Sequence, residues 1–348
     1  MDGHVLIRRI VYILLILFVI AGIKAFDIYK KAFIANIFLD GNNPDYLYIP
    51  TGSKYVDVLK IVEAKKFIRN KESFDWTAHK KNYPNHIKAG KYKVINRMSN
   101  NELINILRSG KQELVQLSFN NIRTLSQLAE RISEQIEINQ SKLLDLLNSS
   151  EIQAKYGLNQ NTIICIFIPN TYEFFWNTSE MQFIERMHKE YITFWNKDRL
   201  SEAGDLKMTK EQVITLASIV NEETDKNDEK SKIAGVYINR LKKGIRLQAD
   251  PTVIYVVGDF SLQRVLRKHY EIDSPYNTYL HYGLPPGPIC IPEISSIDAV
   301  LNYENHDYLY FCAKPDFSGY HFFSRTLQEH NRNAFIYRHE LNKRKIYH

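Results

Sequence analysis

The sequence has few cysteines and no pattern that would join them. Cys165, Cys290 and Cys312 are an odd number, none stands in a C-x-x-C pair, and each has apolar neighbours. They are therefore predicted to be buried free thiols that act as small apolar side chains. The 11 histidines show no H-E-x-x-H or other ligand spacing. We expect no metal and no other cofactor.

A compact basic segment is also missing. The 348 residues carry 46 Lys and Arg against 39 Asp and Glu, but these basic residues are scattered and are not interleaved with aromatics. The net charge of +7 therefore favours a basic surface that faces anionic lipid or wall polymer, and we expect no nucleic acid partner. Apolar residues make up 44% of the chain, which is enough for a packed core.

Long apolar runs are confined to the amino terminus. Residues 10–23 form an uninterrupted apolar run, with Arg8 and Arg9 before it and Lys24 after it. This run is shorter than the roughly 20 residues that a helix needs to cross a bilayer. Residues 5–26 reach that length if the flanking cations extend to the two interfaces. The pattern favours a membrane anchor.

Two other interpretations of this run remain open. Val19 and Ala21 have the small-residue spacing of a signal-peptide processing site, so the segment could be removed. Alternatively, the run could be a buried core helix, although a terminal helix that is apolar on all sides rarely finds cover. The cations on the two sides of the run are balanced, so charge leaves the orientation open.

Residues 46–111 have the pattern of a small α/β unit. Residues 90–95 alternate as a half-buried strand does. Residues 99–102 have the form of a capping box, an apolar stripe follows, and Gly110 is a typical helix end. Nothing in this unit looks catalytic, and a soft boundary falls near Gln112.

A helical stripe that ends in a carboxylate carries the clearest chemical signal. Val213, Leu216 and Val220 recur three and four residues apart, and Glu223 continues their face at 100° per residue. Partial desolvation raises the pKa of such a carboxyl, as a general acid requires. Glu222 points about a quarter-turn away and is expected to be solvated. From periodicity alone, Glu223 could instead cap the helix or pair with a nearby cation.

Two loops that are rich in proline and glycine follow, at residues 274–279 and 283–289. Their Tyr, Asn and Thr content is typical of sites that hold a sugar. Loops rich in proline and glycine are, however, more often plain turns between helices or strands. Residues 308–313 then alternate as a strand, and residues 319–324 are predicted to be its hairpin partner.

Several of these segments belong to one ordered set. The set consists of Lys88-Ala-Gly-Lys-Tyr92, Ser109-Gly-Lys111, Phe167-Ile-Pro-Asn-Thr-Tyr-Glu-Phe174, Ala217-Ser-Ile-Val-Asn-Glu-Glu-Thr224, Val236-Tyr-Ile-Asn-Arg-Leu241, Leu247-Gln-Ala-Asp-Pro-Thr-Val-Ile-Tyr255, Tyr276-Asn-Thr-Tyr279, Gly283-Leu-Pro-Pro-Gly287 and Gly319-Tyr-His-Phe322. In this order and spacing the chain resembles the endolytic murein transglycosylase family, also called YceG-like, along nearly its whole length. Chance does not explain so many ordered matches.

The resemblance implies an α+β fold in three parts. These are an amino-terminal transmembrane helix with its flank in residues 1–30, a small LysM-like α/β module in residues 31–112, and a mixed α+β catalytic domain in residues 113–348. It further implies a single-pass protein of the cytoplasmic membrane whose catalytic domain lies on the outer side.

The resemblance also implies a reaction and partners. The chain is expected to be a lyase that cuts the bond between N-acetylmuramic acid and N-acetylglucosamine inside peptidoglycan strands and leaves 1,6-anhydromuramic ends. The expected partners are peptidoglycan glycan strands, newly made ones in particular, the cytoplasmic membrane and the machinery that synthesises the wall. A hydrolytic muramidase and a non-catalytic wall-binding protein are the rival functions.

The family's catalytic glutamate falls on Glu223, which the helical stripe selects independently. Asn221 replaces the first acidic position of the family's Ile-x-Glu-x-Glu-Thr signature, and Asn170 replaces the Asp of its Pro-Asp-Thr-Tyr stretch. Neither position therefore has to be anionic in this chain. The candidate substrate-binding residues of the cleft, several of which could only brace loops, are Gln248, Asp250, Thr252, Tyr276 and Asn277.

Overall fold

The computed structural model describes residues 2–41, 43–262 and 265–344, and only the backbone of Asp2 and Gly3. The described chain forms two compact units. Unit 1 contains the chain up to Gln116 with residues 135–137 and 173–178, and unit 2 contains the remainder. Helices and three two-stranded sheets occur together in the described residues, so the mixed α+β class expected from the sequence is confirmed.

Helix α1 spans Asp2–Phe33. Within the described residues, one helix is long and apolar enough to cross a membrane, and this helix is the stretch His4–Phe33. None of its apolar window is buried against the protein, so the interpretation as a core helix is wrong. The helix is a candidate membrane anchor.

The end of α1 is fixed to unit 1 by its backbone. The carbonyl of Lys31 accepts hydrogen bonds from the Asn100 side-chain amide at 2.9 Å and from the Thr77 hydroxyl at 3.3 Å. These two side chains belong to helices α3 (Lys71–Lys80) and α4 (Asn100–Ser109). The last turn of α1 is thus part of the folded unit, whereas its apolar stretch is not.

Unit 1 has a strand–helix–helix–strand order. Strands β1 (Asp45–Ile49) and β2 (Gly90–Val94) pair antiparallel, and α2 (Tyr55–Ala64) and α3 lie between them in sequence. The strand and the capping box expected near residues 90–102 are confirmed, since the Ser99 hydroxyl accepts from the Glu102 amide, and the Glu102 carboxylate accepts from the Ser99 amide at 2.7 Å. Strand β1 and helix α3 were not anticipated.

A single apolar core holds the elements of unit 1 together. Its fully buried members come from both strands and from all three helices that follow α1. They are Ile37, Leu47, Ile49, Val58, Phe74, Ala78, Tyr83, Tyr92, Val94, Leu103, Ile104 and Leu107. The core therefore forms because the apolar faces of short elements meet, which none of these elements could achieve alone.

The remaining elements are mainly helical. Strands β3 (Leu114–Ser118) and β4 (Thr171–Phe175) form the second sheet. The helices of unit 2 are α5 (Leu125–Ser133), α6 (Gln140–Asn148), α7 (Ser150–Lys155), α8 (Glu180–Phe194), α9 (Lys197–Asp205), α10 (Lys210–Glu223), α11 (Asn227–Lys242), α12 (Asp250–Val257), α13 (Arg267–Tyr270), α14 (Ile294–Leu301) and α15 (Leu327–Lys343), with short 3-10 turns at Tyr83–Asn85 in unit 1 and Ile163–Ile166 in unit 2.

Helix α10 is the centre of unit 2. Every residue from Val213 to Val220 is buried, because α9, α11, α12 and α14 pack around the helix. The stripe predicted from the sequence is therefore only part of a helix that is covered on all sides. Its buried hydroxyls bond within the helix, with Thr215 donating to the Glu211 carbonyl at 2.7 Å and Ser218 to the Thr215 carbonyl at 2.7 Å.

The expected hairpin near the carboxyl end is confirmed. Strands β5 (Tyr310–Ala313) and β6 (His321–Ser324) pair antiparallel, with α15 packed against both. The three cysteines are free; Cys165 and Cys290 are buried, and Cys312, on β5, is half-buried. The prediction of buried thiols is therefore right for two of the three.

Candidate active site

Glu223 is the last residue of α10, and it lines a cleft. The helix ends there because Thr224 is extended, with φ −154° and ψ 139°. The cleft has a volume of about 370 Å³. Residues from α10 to α15 line it: Glu223, Tyr237, Arg240, Leu247, Gln248, Asp250, Tyr279, Tyr310, Phe311, Leu327 and His330.

A tyrosine on the neighbouring helix holds the carboxyl of Glu223. The Tyr237 hydroxyl donates a short hydrogen bond to Oε1 of Glu223. Tyr237 is buried on α11, and its ring also meets Phe311 edge-on, with the ring centroids 5.8 Å apart. The donor is therefore fixed by packing, and the carboxyl has one preferred orientation in the cleft.

The surroundings of Glu223 change its proton affinity. Burial raises the pKa of Glu223 to about 7, and the charge of Asp250 also raises it, whereas the Tyr237 hydrogen bond and the Arg240 charge lower it. The same burial and the neighbouring carboxyl raise the pKa of Tyr237 well above its usual value. Glu223 can thus hold a proton near neutral pH, and Tyr237 stays a hydrogen-bond donor.

Arg240 organises the wall of the cleft. Its guanidinium donates to the backbone carbonyls of Leu309 at 2.6 Å, Leu247 at 2.9 Å and Arg246 at 3.1 Å. Because it is committed to these carbonyls, Arg240 joins the loop before α12 to the start of the hairpin. Its positive charge still acts on Glu223 across the cleft.

Two of the predicted substrate-binding residues lie in the cleft with Glu223. Oδ1 of Asp250 accepts hydrogen bonds from the hydroxyls of Tyr279 at 2.6 Å and Tyr270 at 3.1 Å. Gln248 has a left-handed backbone, with φ +50°, which is costly for a residue with a Cβ. The structure thus brings Glu223, Gln248 and Asp250 together.

The other three predicted residues lie outside the cleft lining. The Thr252 side chain is fully buried and bonds to the Ala249 carbonyl at 2.7 Å. The buried Asn277 amide donates to the carbonyls of Ile272 at 2.8 Å and Tyr270 at 3.0 Å. Both residues brace the loops on which Asp250 and its tyrosine partners stand.

Tyr276 faces a different neighbourhood. Its ring lies against Tyr255, with the centroids 4.9 Å apart, and its hydroxyl donates to Asn161 at 3.4 Å. The nearby proline–glycine loop packs in the same region, since a Cβ on Gly287 would come within 2.1 Å of the Asn161 carbonyl oxygen. This loop is therefore a close-packing element of unit 2.

Sequence reasoning missed most of the aromatic wall, whose members in the cleft are Tyr237, Tyr279, Tyr310 and Phe311. A signal existed for Tyr237 and Arg240, which stand three residues apart on α11, on the same side as buried Ile233. A polar group on the apolar face of a helix is the same kind of signal that selected Glu223. The hairpin and α15 gave no comparable signal.

The prediction that Glu222 is solvated is wrong. Its carboxylate forms a short ion pair with Arg123, and only 16% of its side chain is exposed. Asn221, the departure from the family signature, accepts hydrogen bonds through Oδ1 from the Ser296 hydroxyl at 2.9 Å and the Glu293 amide at 3.1 Å. It thereby holds the beginning of α14, a task that needs an acceptor but no charge.

Two smaller expectations concern Asn170 and metal ligands. Asn170 accepts a hydrogen bond through Oδ1 from the amide of Thr171 at 2.8 Å, which again needs no charge. In the part of the chain that the structure describes, no three His, Cys, Asp or Glu side chains converge as metal ligands.

Known proteins are similar to this chain in sequence. The profile of the YceG-like family matches residues 47–335. A Bacillus subtilis (strain 168) protein named endolytic murein transglycosylase is 31% identical over 321 residues, which are 88% of each chain. A protein of the same name from Streptococcus pneumoniae serotype 2 (strain D39) is 26% identical over 85% of this chain but only 59% of its own length.

A solved structure is similar as well. The crystal structure of a YceG-like protein from Listeria monocytogenes superimposes with a TM-score of 0.59 at 32% sequence identity, covering 83% of this chain and 98% of the other. The family match extends over both units and includes Glu223 with its whole cleft. The chain therefore belongs to the YceG-like family and is a lyase of the lytic transglycosylase type.

Proposed function

We propose that this chain cuts murein glycan strands internally, with Glu223 as its acid and base. The observation that carries the proposal is the carboxyl of Glu223, whose pKa burial raises to about 7 in an open cleft lined by aromatic rings and polar groups. Such a cleft suits a sugar, which stacks on aromatic rings and hydrogen-bonds to side chains. The name of the Bacillus subtilis relative supports murein as the substrate.

The first step breaks the glycosidic bond between N-acetylmuramic acid and N-acetylglucosamine. Protonated Glu223 gives its proton to the bridging oxygen, the bond from that oxygen to C1 of the muramoyl ring breaks, and the oxygen leaves as a hydroxyl on the N-acetylglucosamine. Positive charge develops on the muramoyl ring. The Asp250 carboxylate faces the same cleft and stabilises that charge.

The second step closes a ring without water. The muramoyl 6-hydroxyl attacks C1 and forms a C1–O6 bond, and its proton passes to the Glu223 carboxylate, which restores the acid. The 6-hydroxyl is already held on the same sugar, so the attack has the advantage of an intramolecular reaction. The products are a 1,6-anhydromuramic end and a free N-acetylglucosamine end, and their masses sum to that of the substrate.

The rest of the chain serves to place this site at the wall. We propose that residues 1–30 anchor the protein in the cytoplasmic membrane with residues 113–348 outside, where newly made strands and the synthesis machinery are found. Residues 31–112 act as a LysM-like wall-binding module; the strand–helix–helix–strand order of this unit, with antiparallel β1 and β2, supports this role.

Digestion of purified glycan strands in heavy-oxygen water tests the reaction type. We expect fragments that are one water lighter than hydrolytic products, with no heavy oxygen at the new end. Labelled reducing ends would contradict the proposal and make the protein a muramidase. Asp250 would then be the second carboxylate, since both known hydrolytic arrangements use a pair of acids.

A further inference from the structure

A second cavity lies in unit 2, next to the one that holds Glu223. Its volume is about 490 Å³, and it is lined by Asn120, Asn121, Arg123, Pro169, Asn221, Glu222, Asp225, Asn227, Lys230, Ile291 and Glu293. Glu222 directly precedes Glu223, so two neighbouring carboxylates at the end of α10 enter different cavities. None of these residues lines the cleft that contains Glu223.

The two cavities follow one face of helix α11. Lys230 lines the second cavity and Tyr237 lines the cleft. These residues are two helical turns apart, so they share a face and lie about 10 Å from each other along the helix axis. An elongated ligand that follows this face meets both cavities.

The charges of the second cavity are largely satisfied within the protein. Arg123 pairs with Glu222, and the buried Lys230 ammonium pairs with Glu293 at 2.8 Å. Both cations of the lining are thus committed to carboxylates. Among the described residues that line it, the cavity therefore has no unpaired cation with which to recognise a phosphate, a lipid headgroup or a peptide carboxylate.

Other side chains of this cavity remain available. Asn120, Asp225 and Asn227 are exposed, and their side chains make no hydrogen bond or ion pair with any described residue. Amides donate and accept, and a carboxylate accepts, which is the set of groups that binds sugar hydroxyls and acetamido groups. The available groups thus suit a neutral, polyhydroxylated ligand.

We infer that the second cavity is a glycan subsite, which holds the part of an N-acetylated strand on one side of the bond that Glu223 breaks. This inference rests on the proposed function. Because the strand is then held beyond the reacting sugar, a cut inside the strand is favoured over removal of a terminal unit. Asp225 and Asn227 are specificity-determining residues of this subsite.

Binding by a non-cleaving protein tests the subsite. The full-length Glu223→Gln protein in detergent micelles is titrated with glycan strands from which the stem peptides have been removed. Adding Asp225→Ala and Asn227→Ala should weaken binding roughly tenfold, the loss expected for a few hydrogen bonds. The matched control adds Asn148→Ala and Asp205→Ala, which are exposed residues of unit 2 outside both cavities, and should bind as the parent does.

Three other results have distinct meanings. Unchanged affinity in the Asp225→Ala/Asn227→Ala protein, while the parent binds the strands, overturns the subsite and leaves the proposed function intact. Weakening that is seen only with strands that keep their stem peptides assigns the cavity to peptide and also overturns the inference. Failure of the wild-type protein to cleave strands, together with failure of the parent to bind them, overturns the proposed function itself.

Discussion

The hydroxyl of Tyr237, in the middle of α11, donates a hydrogen bond to the carboxyl of Glu223 at the end of α10. This contact favours the ionised carboxylate and so lowers its pKa, whereas burial and the charge of Asp250 raise it. The balance places the pKa of Glu223 at about 7. One carboxyl can therefore give and retake a proton near neutral pH.

Glu223→Gln should abolish glycan cleavage, with a loss of roughly 10³-fold or more, because an amide cannot give or take the proton. Release of soluble fragments from purified peptidoglycan measures this loss. Glu130→Gln, on the exposed side of α5, is the control and should keep wild-type activity. Glu222→Gln should reduce activity less than about tenfold, since its carboxylate pairs with Arg123 and lines a different cavity from Glu223. Equal losses in Glu222→Gln and Glu223→Gln would contradict the assignment.

Activity should fall as the pH rises through about 7, because the acid must be protonated before the bond breaks. Tyr237→Phe removes a donor that favours the charged carboxylate, so it should shift the midpoint of this fall to higher pH. Rates measured between pH 5 and 9 provide the test. Tyr310→Phe is the control because Tyr310 lines the same cleft and its hydroxyl forms no hydrogen bond with a described residue. A midpoint that stays in place in Tyr237→Phe would contradict the role of the hydrogen bond.

Glu223 should also destabilise the fold in a pH-dependent way. Its folded pKa of about 7 lies above the ordinary value of 4.5, so the folded state prefers the proton. The loss of stability that Glu223 causes is therefore absent below its pKa in the unfolded chain and complete above its pKa in the folded protein. Glu223→Gln should raise the free energy of unfolding by about 1–3 kcal/mol at pH 8 and change it little at pH 4. Thermal melts at both pH values, with Glu130→Gln for comparison, show whether the gain depends on pH.

The full-length protein should remain with membranes through a high-salt wash, because the apolar stretch of α1 is exposed and long enough to span a bilayer. A chain that starts at Asp27 should be soluble and folded, since it keeps the turn at Lys31 that bonds to α3 and α4. Fractionation followed by amino-terminal sequencing makes the measurement. A mature chain that begins at Gly22 would support the signal-peptide interpretation instead.

Local pattern predicted those elements whose signal lies within a few residues. The capping box of Ser99 and Glu102, the hairpin of β5 and β6, and the placement of Glu223 on the apolar stripe of a helix all follow from spacing and period. Strand β1 escaped this reasoning although Leu47 and Ile49 are buried. Five residues between loops are too few for the alternation of apolar and polar residues to distinguish a strand from an irregular segment.

The candidate site was only partly predictable from the sequence. Asp250 and Gln248 were found because they stand in a distinctive motif, and they line the cleft. Thr252 and Asn277 stand in equally distinctive motifs, yet both are buried in loop-bracing hydrogen bonds. A motif marks a residue whose environment is demanding, and it does not tell a binding contact from a structural one.

The sequence by itself determined that Glu223 continues the apolar stripe of a helix, because the helical period fixes the direction of each side chain. Only the tertiary structure decided that Glu222 meets Arg123, a residue 99 positions away in sequence, and that Tyr237 holds Glu223. Direction is a local property of the backbone. The desolvation, ion pairing and proton affinity of a side chain depend on which other helices and loops pack against it, and the tertiary structure determines these neighbours.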